Sequence, residues 1–249
     1  MTEDLNCMSY WYPRIKGLVP TPQTELLVLS PEDGHDMARV LDGDSPQSIE
    51  RVYRFVAEAA QRMGGYPVFL RTGHGSGKHN WDRTCRVARS KEIADHIHNL
   101  IEWSHLADML GLPHNVWAVR RMLAVEPICC LPTYCGLPLV PEWRVFIRDH
   151  KVQCSHPYWP PRAVNIGLGK YSAATGAAIL RYQAAPTPAE AILYAEDIGA
   201  VLAGYWSVDV LQAKDGLYVI DMAQGERSWH WDGCNAQQTS KERGCGSGG

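Results

Sequence analysis

The chain has 249 residues, 45% hydrophobic and 20% charged, and its 24 Lys and Arg against 27 Asp and Glu leave a net charge of −3. That charge is too small, and of the wrong sign, to coat nucleic acid or an anionic membrane by bulk electrostatics. Nine Trp and eleven Tyr need burial, which excludes a largely disordered chain, and no apolar run reaches the roughly 20 residues of a membrane helix. The start lacks the apolar centre of a secretory signal, so a cytoplasmic protein with reduced thiols is expected. The eight Cys have neither C-x-x-C nor paired Cys/His spacing, so no zinc site is expected; Cys129, Cys130 and Cys135 form the only cluster.

Pro13, Pro20, Pro22 and Pro31 punctuate the first forty residues around a short apolar stretch, Leu26–Leu29. Ser45-Pro46 reads as a helix start, and Ile49, Val52, Phe55, Val56, Ala59, Ala60 and Met63 follow helical spacing to Gly64-Gly65. Tyr66–Thr72 reads as a strand running into a glycine loop, Gly73–Lys78. Ser90 is expected to cap a second helix, with Leu110 on its apolar stripe and Gly111 at its end. Val116–Val125 reads as a long strand, and Asp149-His150 as the turn of a hairpin. Thr187-Pro-Ala-Glu190 fits a capping box for a helix to about Ala203. Tyr205–Ala213 and Leu217–Gln224 flank Lys214-Asp215-Gly216, read as a three-residue turn. Helices and antiparallel hairpins interleave, so the fold class is α+β with at least two lobes.

Four places carry candidate chemistry. Gly73–Lys78 exposes backbone N–H groups and a Lys suited to phosphate oxygens, but its spacing is not that of a Walker loop, and an ordinary hairpin loop is the competing reading. In the last hairpin, pairing Ala213 with Leu217 and counting four residues outward sets Asp209 opposite Asp221. Two facing carboxylates repel unless neutralised, and Mg2+ with phosphate oxygens does this naturally; solvation of each Asp after a bulge is the alternative. Glu142, Arg144 and Phe146 share one strand face, where a fixed Arg suits a phosphoryl group. In Val116–Glu126, either Arg120 or Arg121 must face a mostly apolar surface; the pattern does not decide which.

Taken in order, PVFLRTGHGSGKHNW (67–81), TCRVARSKEIADHI, VWAVRRML, EWRVFI with its hairpin mate, and WSVDVL…LYVIDMAQGERSW resemble the ATP-grasp superfamily. They are most similar to the clade named for two arginines and a lysine, and to the eukaryotic cell-division-cycle protein that assembles a translation initiation factor. The resemblance implies two α+β lobes with antiparallel sheets enclosing ATP. It implies an N-terminal segment, a partial pre-ATP-grasp region, over 1–65, a first lobe over 66–115, a second lobe over 116–233 with the metal-binding hairpin, and a disordered tail over 234–249. Arg71, Ser76, Lys78, Trp81, Arg120, Arg121, Glu126 and Arg144 would contact ATP, with Lys78 and Arg144 catalytic and Asp209 and Asp221 holding Mg2+. The implied activity is ligation of a carboxylate to an amine through an acyl phosphate; an ATP-binding assembly protein without turnover is the alternative. The partners implied are ATP and a small-molecule or peptide substrate, with a protein partner possible and neither membrane nor nucleic acid. The sequence departs from the family at Ala223, where a third metal-ligating Asn is usual.

Overall fold

Alternation of apolar side chains builds the first sheet of the computed structural model, which describes residues 4–107, 111–165, 171–231 and 234. Three strands pair antiparallel: β1 (Thr24–Val28), β2 (Val68–Thr72) and β4 (Val116–Arg121), with β4 between the other two. A two-residue β3 (Arg86–Val87) extends the edge of β2. Val68 and Leu70 of β2, with Trp117 and Val119 of β4, meet the apolar faces of two helices, α3 (Gln47–Arg62) and α4 (Ile93–Leu106). Ile49, Val52, Val56, Ala59 and Ala60 recur at helical spacing on α3, while Ile93, Ile97, Leu100 and Ile101 do so on α4.

The chain divides into two compact units. The first comprises Met1–Pro13, Thr21–Ala124 and Cys130–Leu139; the second comprises Arg14–Pro20, Val125–Cys129 and the chain from Val140. The expected boundary at 115/116 is therefore displaced. β4 hydrogen-bonds to both β1 and β2, so it is an interior strand of the first sheet and cannot open the second lobe. For the same reason residues 1–65 are no separate segment, since they supply β1 and α3 to this core.

β5 (Cys129–Leu131) and β6 (Leu137–Leu139) form a two-stranded sheet. Two hairpins, of β7 (Glu142–Arg148) with β8 (Lys151–Pro157) and of β9 (Tyr205–Ala213) with β10 (Gly216–Gln224), build the second four-stranded sheet, all antiparallel, in the order β10-β9-β7-β8. Trp143, Val145 and Ile147 stand opposite Val210, Val208 and Trp206, and α7 (Ala189–Val201) packs on β7. The approach is close enough that a Cβ on Gly199 would lie 2.5 Å from Ile147 Cδ1.

Local chemistry differs from expectation at several ends. Pro46, rather than Ser45, is the residue that precedes α3, and no side chain caps it. Ser90 starts a short 3-10 turn before α4 instead of capping it, and the capping box at Thr187 does not form ahead of α7. Four further helices, α1 (Met8–Ile15), α2 (Pro31–Asp36), α5 (Pro161–Asn165) and α6 (Ala173–Ala184), fall where no helix was expected. The Ser172 hydroxyl caps α6 by accepting from Thr175 N at 3.1 Å. Leu110 and, apart from Cys234, the expected tail from 234 onward lie outside the described residues.

Candidate functional site

The second unit carries its polar residues in a row across one sheet face. The turn of the β9–β10 hairpin is Lys214-Asp215, so Gly216 pairs with Ala213. From that start, plain counting would set Asp209 opposite Ile220. A bulge at Ile220 shifts the register by one residue and restores the Asp209–Asp221 pairing that a longer turn had predicted. Its physical reason is the hydrophobic pattern: without it Asp221 would face Val208 on the side packed under α7.

The β7–β8 hairpin does the same. Asp149 and His150 turn with φ of 46° and 66°, and an extra residue at Gln153 moves His156 opposite Arg144. Arg144 also pairs with Asp209 on its other side. Asp221, Asp209, Arg144 and His156 therefore form one continuous line over four strands.

Arg144 grips Asp209 bidentately, with Nε donating to Oδ1 at 2.7 Å and Nη2 to Oδ2 at 2.8 Å. Their side chains are 15% and 6% exposed, so this is a desolvated pair. Burial works against the guanidinium charge, but the field and hydrogen bonds of Asp209 outweigh it and raise the Arg144 pKa. The Arg144 fork is further fixed by the Trp229 carbonyl, which accepts from Nη1 at 3.4 Å, and by the Tyr158 ring, whose centroid is 4.7 Å from Cζ. Glu142 is buried on the same face, as its alternation with Arg144 requires.

His156 lies at the end of the line with Nδ1 2.9 Å from the Pro157 carbonyl. A carbonyl only accepts, so Nδ1 carries the hydrogen and Nε2 the lone pair. Burial lowers the His156 pKa, and Arg144 lowers it further. His230, stacked on Phe146 with centroids 3.6 Å apart, is pushed down to about 4 by burial and by the neighbouring His156 and Arg144. Both imidazoles are neutral at pH 7.

The donor set fits Mg2+. A carboxylate offers about four lone-pair positions, and the Arg144 fork uses one on each Asp209 oxygen, which leaves one on each for a cation. Side chains directly opposite in an antiparallel pair have Cβ atoms roughly 4.5–5.5 Å apart, within reach of one shared ion. Hard carboxylate oxygens, completed by phosphate oxygens and water, are what Mg2+ takes. Ala223 stands in the next row, opposite Ser207, whose hydroxyl donates to the Ala223 carbonyl at 3.3 Å. Gln224 pairs with Trp206, so alternation turns it to the Met222 face and away from Asp221.

In the first unit, Arg71 and Arg120 lie on the sheet face opposite the helices, with Phe69 and Ala118. Both arginines are buried; Arg71 Nε donates to the Thr72 carbonyl and Arg120 Nε to Thr24 Oγ1, each at 3.1 Å. The pair left undecided by pattern is thus separated, because Arg121 is exposed. Trp81 is buried against Phe69 on that same face, ring centroids 5.9 Å apart. Lys78 is half-buried at the start of a 3-10 turn, Lys78–Asn80, and Ser76 is half-buried in the loop before it. Burial raises the Cys85 thiol pKa to about 12, and the positive fields of Lys78 and Arg71 both act on it in the opposite sense.

The glycine loop is packed rather than open. A Cβ on Gly75 would lie 2.3 Å from Trp103 Cη2, and one on Gly73 would lie 2.5 Å from Cys7 Sγ. Thr72 Oγ1 accepts from Gly75 N at 3.2 Å, and Thr84 Oγ1 donates to the Gly77 carbonyl at 2.8 Å. Gly75 and Gly77 serve close backbone packing onto Trp103 of α4, and Gly73 onto Cys7 and Val116.

Arg121 is exposed, and the exposed carboxylate of Glu126 is 3.5 Å from Lys214 Nζ. Cys129, Cys130 and Cys135 do not form a metal-ligating group among the described residues, and Cys135 Sγ instead donates to Asn80 Oδ1 at 3.2 Å. Sequence reasoning missed His156, Tyr158 and the Trp229 carbonyl; only His156 had a signal, the hairpin count, and the bulge spoils that by one residue.

No protein-family model and no curated protein matches the sequence. Among solved structures, C-terminally truncated Cdc123 from Schizosaccharomyces pombe superposes with a TM-score of 0.54 at 13% identity, over 88% of this chain and 84% of that one. Cdc123 from the same organism gives 0.51 at 14% identity with the same coverage. D-alanine–D-alanine ligase from Bacillus anthracis, complexed with ATP, gives 0.47 at 11% identity, over 96% of this chain and 61% of the ligase. At such identities the likeness is one of fold. The chain has an α+β ATP-grasp fold and is similar in fold to Cdc123.

Proposed function

We propose that the chain is a Mg·ATP-dependent ligase of the ATP-grasp type, which activates a carboxylate as an acyl phosphate for attack by an amine. The observation that carries this reading is the line Asp221, Asp209, Arg144 across the second sheet, two carboxylates and a fixed guanidinium on one face. Mg2+, when bound, would neutralise phosphate charge, held by Asp209 and Asp221. Arg144 is oriented by Asp209 so that its edge geometry is set before substrate arrives, and it would stabilise charge on the transferred phosphoryl group. Arg71, Lys78 and Arg120 are proposed as further cations for the phosphates, and Trp81 and Ser76 as nucleotide contacts. Transfer of the γ-phosphoryl group to a carboxylate yields ADP and an acyl phosphate; attack by an amine then expels inorganic phosphate. Positioning and charge stabilisation supply most of the rate in such transfers.

Titration of Mg·ATP into the wild type and Asp221→Asn tests the metal assignment. The variant is expected to bind at least about tenfold more weakly, as for a lost charge-stabilising group; equal binding would remove Asp221 from the site. Ala223 favours a second reading, an ATP-binding assembly protein without turnover, because the third ligand position has no donor side chain. Incubation with Mg·ATP and pooled amino acids and peptides separates the two. ADP and phosphate accumulate for a ligase, whereas tight ATP binding without them supports the second.

A further inference from the structure

We propose that Cys154, His230 and Cys234 form a zinc site in which two thiolates and the His230 Nδ1 hold one Zn2+, with water completing a tetrahedron. The ligand atoms of these three residues all lie within 4.8 Å of one another. Zinc–sulphur bonds of about 2.3 Å and zinc–nitrogen bonds of about 2.0–2.1 Å place tetrahedral S···N and S···S edges near 3.6 and 3.8 Å. Cys154 Sγ and His230 Nδ1 are 3.5 Å apart, so one edge already has the required length. The others need a contraction of at most about 1.2 Å to meet those edges.

The surroundings orient the imidazole for this role. His230 Nε2 is 2.9 Å from Tyr205 Oη; with Nδ1 on the metal, Nε2 would carry the hydrogen and Tyr205 Oη would accept it. Metal-bound histidines commonly donate their other ring N–H to such a partner. The Phe146 ring stacked on His230 at 16° sets the plane of the imidazole, and Arg148 Cζ lies 4.0 Å over the Tyr205 ring. Cys154 reaches the cluster because the Gln153 bulge turns it to the Phe146 side of the sheet. His230 and Cys234 stand four residues apart in the segment after β10, and Cys234 N donates to the Trp231 carbonyl at 3.0 Å. The site would pin that segment, whose Trp229 carbonyl accepts from Arg144, onto β8.

The 249-residue chain, stripped with chelator and reduced, is titrated with Zn2+ against a competing chelator, and in parallel with Co2+. One equivalent of zinc per chain is expected, with thiolate-to-cobalt charge transfer and intense tetrahedral d–d bands. Cys154→Ser, Cys234→Ser and His230→Gln should each weaken zinc by at least about a hundredfold, since each removes a direct ligand. Tyr205→Phe should weaken it by about tenfold, as for a lost partner of a metal-bound histidine. Cys130→Ser and Cys135→Ser should leave binding unchanged. No zinc uptake by the folded, reduced wild type would overturn the assignment, as would a cobalt spectrum lacking thiolate bands. So would zinc binding that survives all three ligand substitutions or that disappears in Cys130→Ser.

Discussion

Arg144 and Asp209 allow a test of how much of the line is structural and how much binds ligand. Replacing Arg144 by Met removes a guanidinium that is 15% exposed and leaves Asp209, 6% exposed, without its two short hydrogen bonds. Two unit charges about 4 Å apart interact by about 4 kcal/mol at an effective dielectric constant of about 20. Breaking such a buried pair from one side typically costs about 3–5 kcal/mol, because the partner's desolvation is no longer repaid. Arg144→Met and Asp209→Leu are therefore each expected to lose about 3 kcal/mol in urea denaturation, by the same reasoning. The double variant should recover most of it, since apolar residues of similar volume often replace a buried pair at little cost. A double-mutant cycle on the urea midpoints, with m-values checked for constancy, measures the coupling. The double variant should fold yet fail to bind Mg·ATP, which separates stability from binding. Single losses below about 1 kcal/mol, the range of exposed ion pairs, would refute the view of this pair as desolvated.

The remaining expectations are more local. Gly75→Ala should destabilise by about 1–3 kcal/mol through overpacking against Trp103, and the loss should shrink in Gly75→Ala/Trp103→Leu, measured by thermal unfolding. Ala223→Asn restores a donor one row from Asp209 and Asp221, and should lower the Mg2+ concentration needed for ATP binding, read by calorimetry across a magnesium series. Burial lowers the His114 pKa below its ordinary 6.5, so between the folded value and 6.5 the unfolded chain binds more protons. His114 therefore contributes stability above pH 6.5 that is lost as pH falls through the window beneath it; a His114→Gln variant should show a shallower decline of melting temperature there.

Both hairpins show where sequence reading reaches and where it stops. Alternation in Glu142–Arg148 and Tyr205–Ala213 assigned each polar residue to a face, and the observed pairing of Asp209 with Asp221 was reached from a turn one residue too long, offset by an unforeseen bulge. Turn length and bulge are coupled through burial, because the register must keep Val208 and Met222 under α7, and that requirement belongs to the packed sheet. Likewise, β4 reads as a strand from its β-branched and aromatic residues, but its membership of the first sheet depends on β1, nearly a hundred residues earlier in the chain.

The sequence by itself determined the α+β class and the arginine strand, because both follow from periods of two and 3.6 residues that act locally. Only the tertiary structure chose Arg120 over Arg121 for the buried face, set Glu126 beside Lys214, and brought His156 into line with Arg144. It also gathered Cys154, His230 and Cys234, whose spacing in the chain gives no sign of a shared centre. Such meetings depend on contacts between residues far apart in sequence, and no local period encodes them.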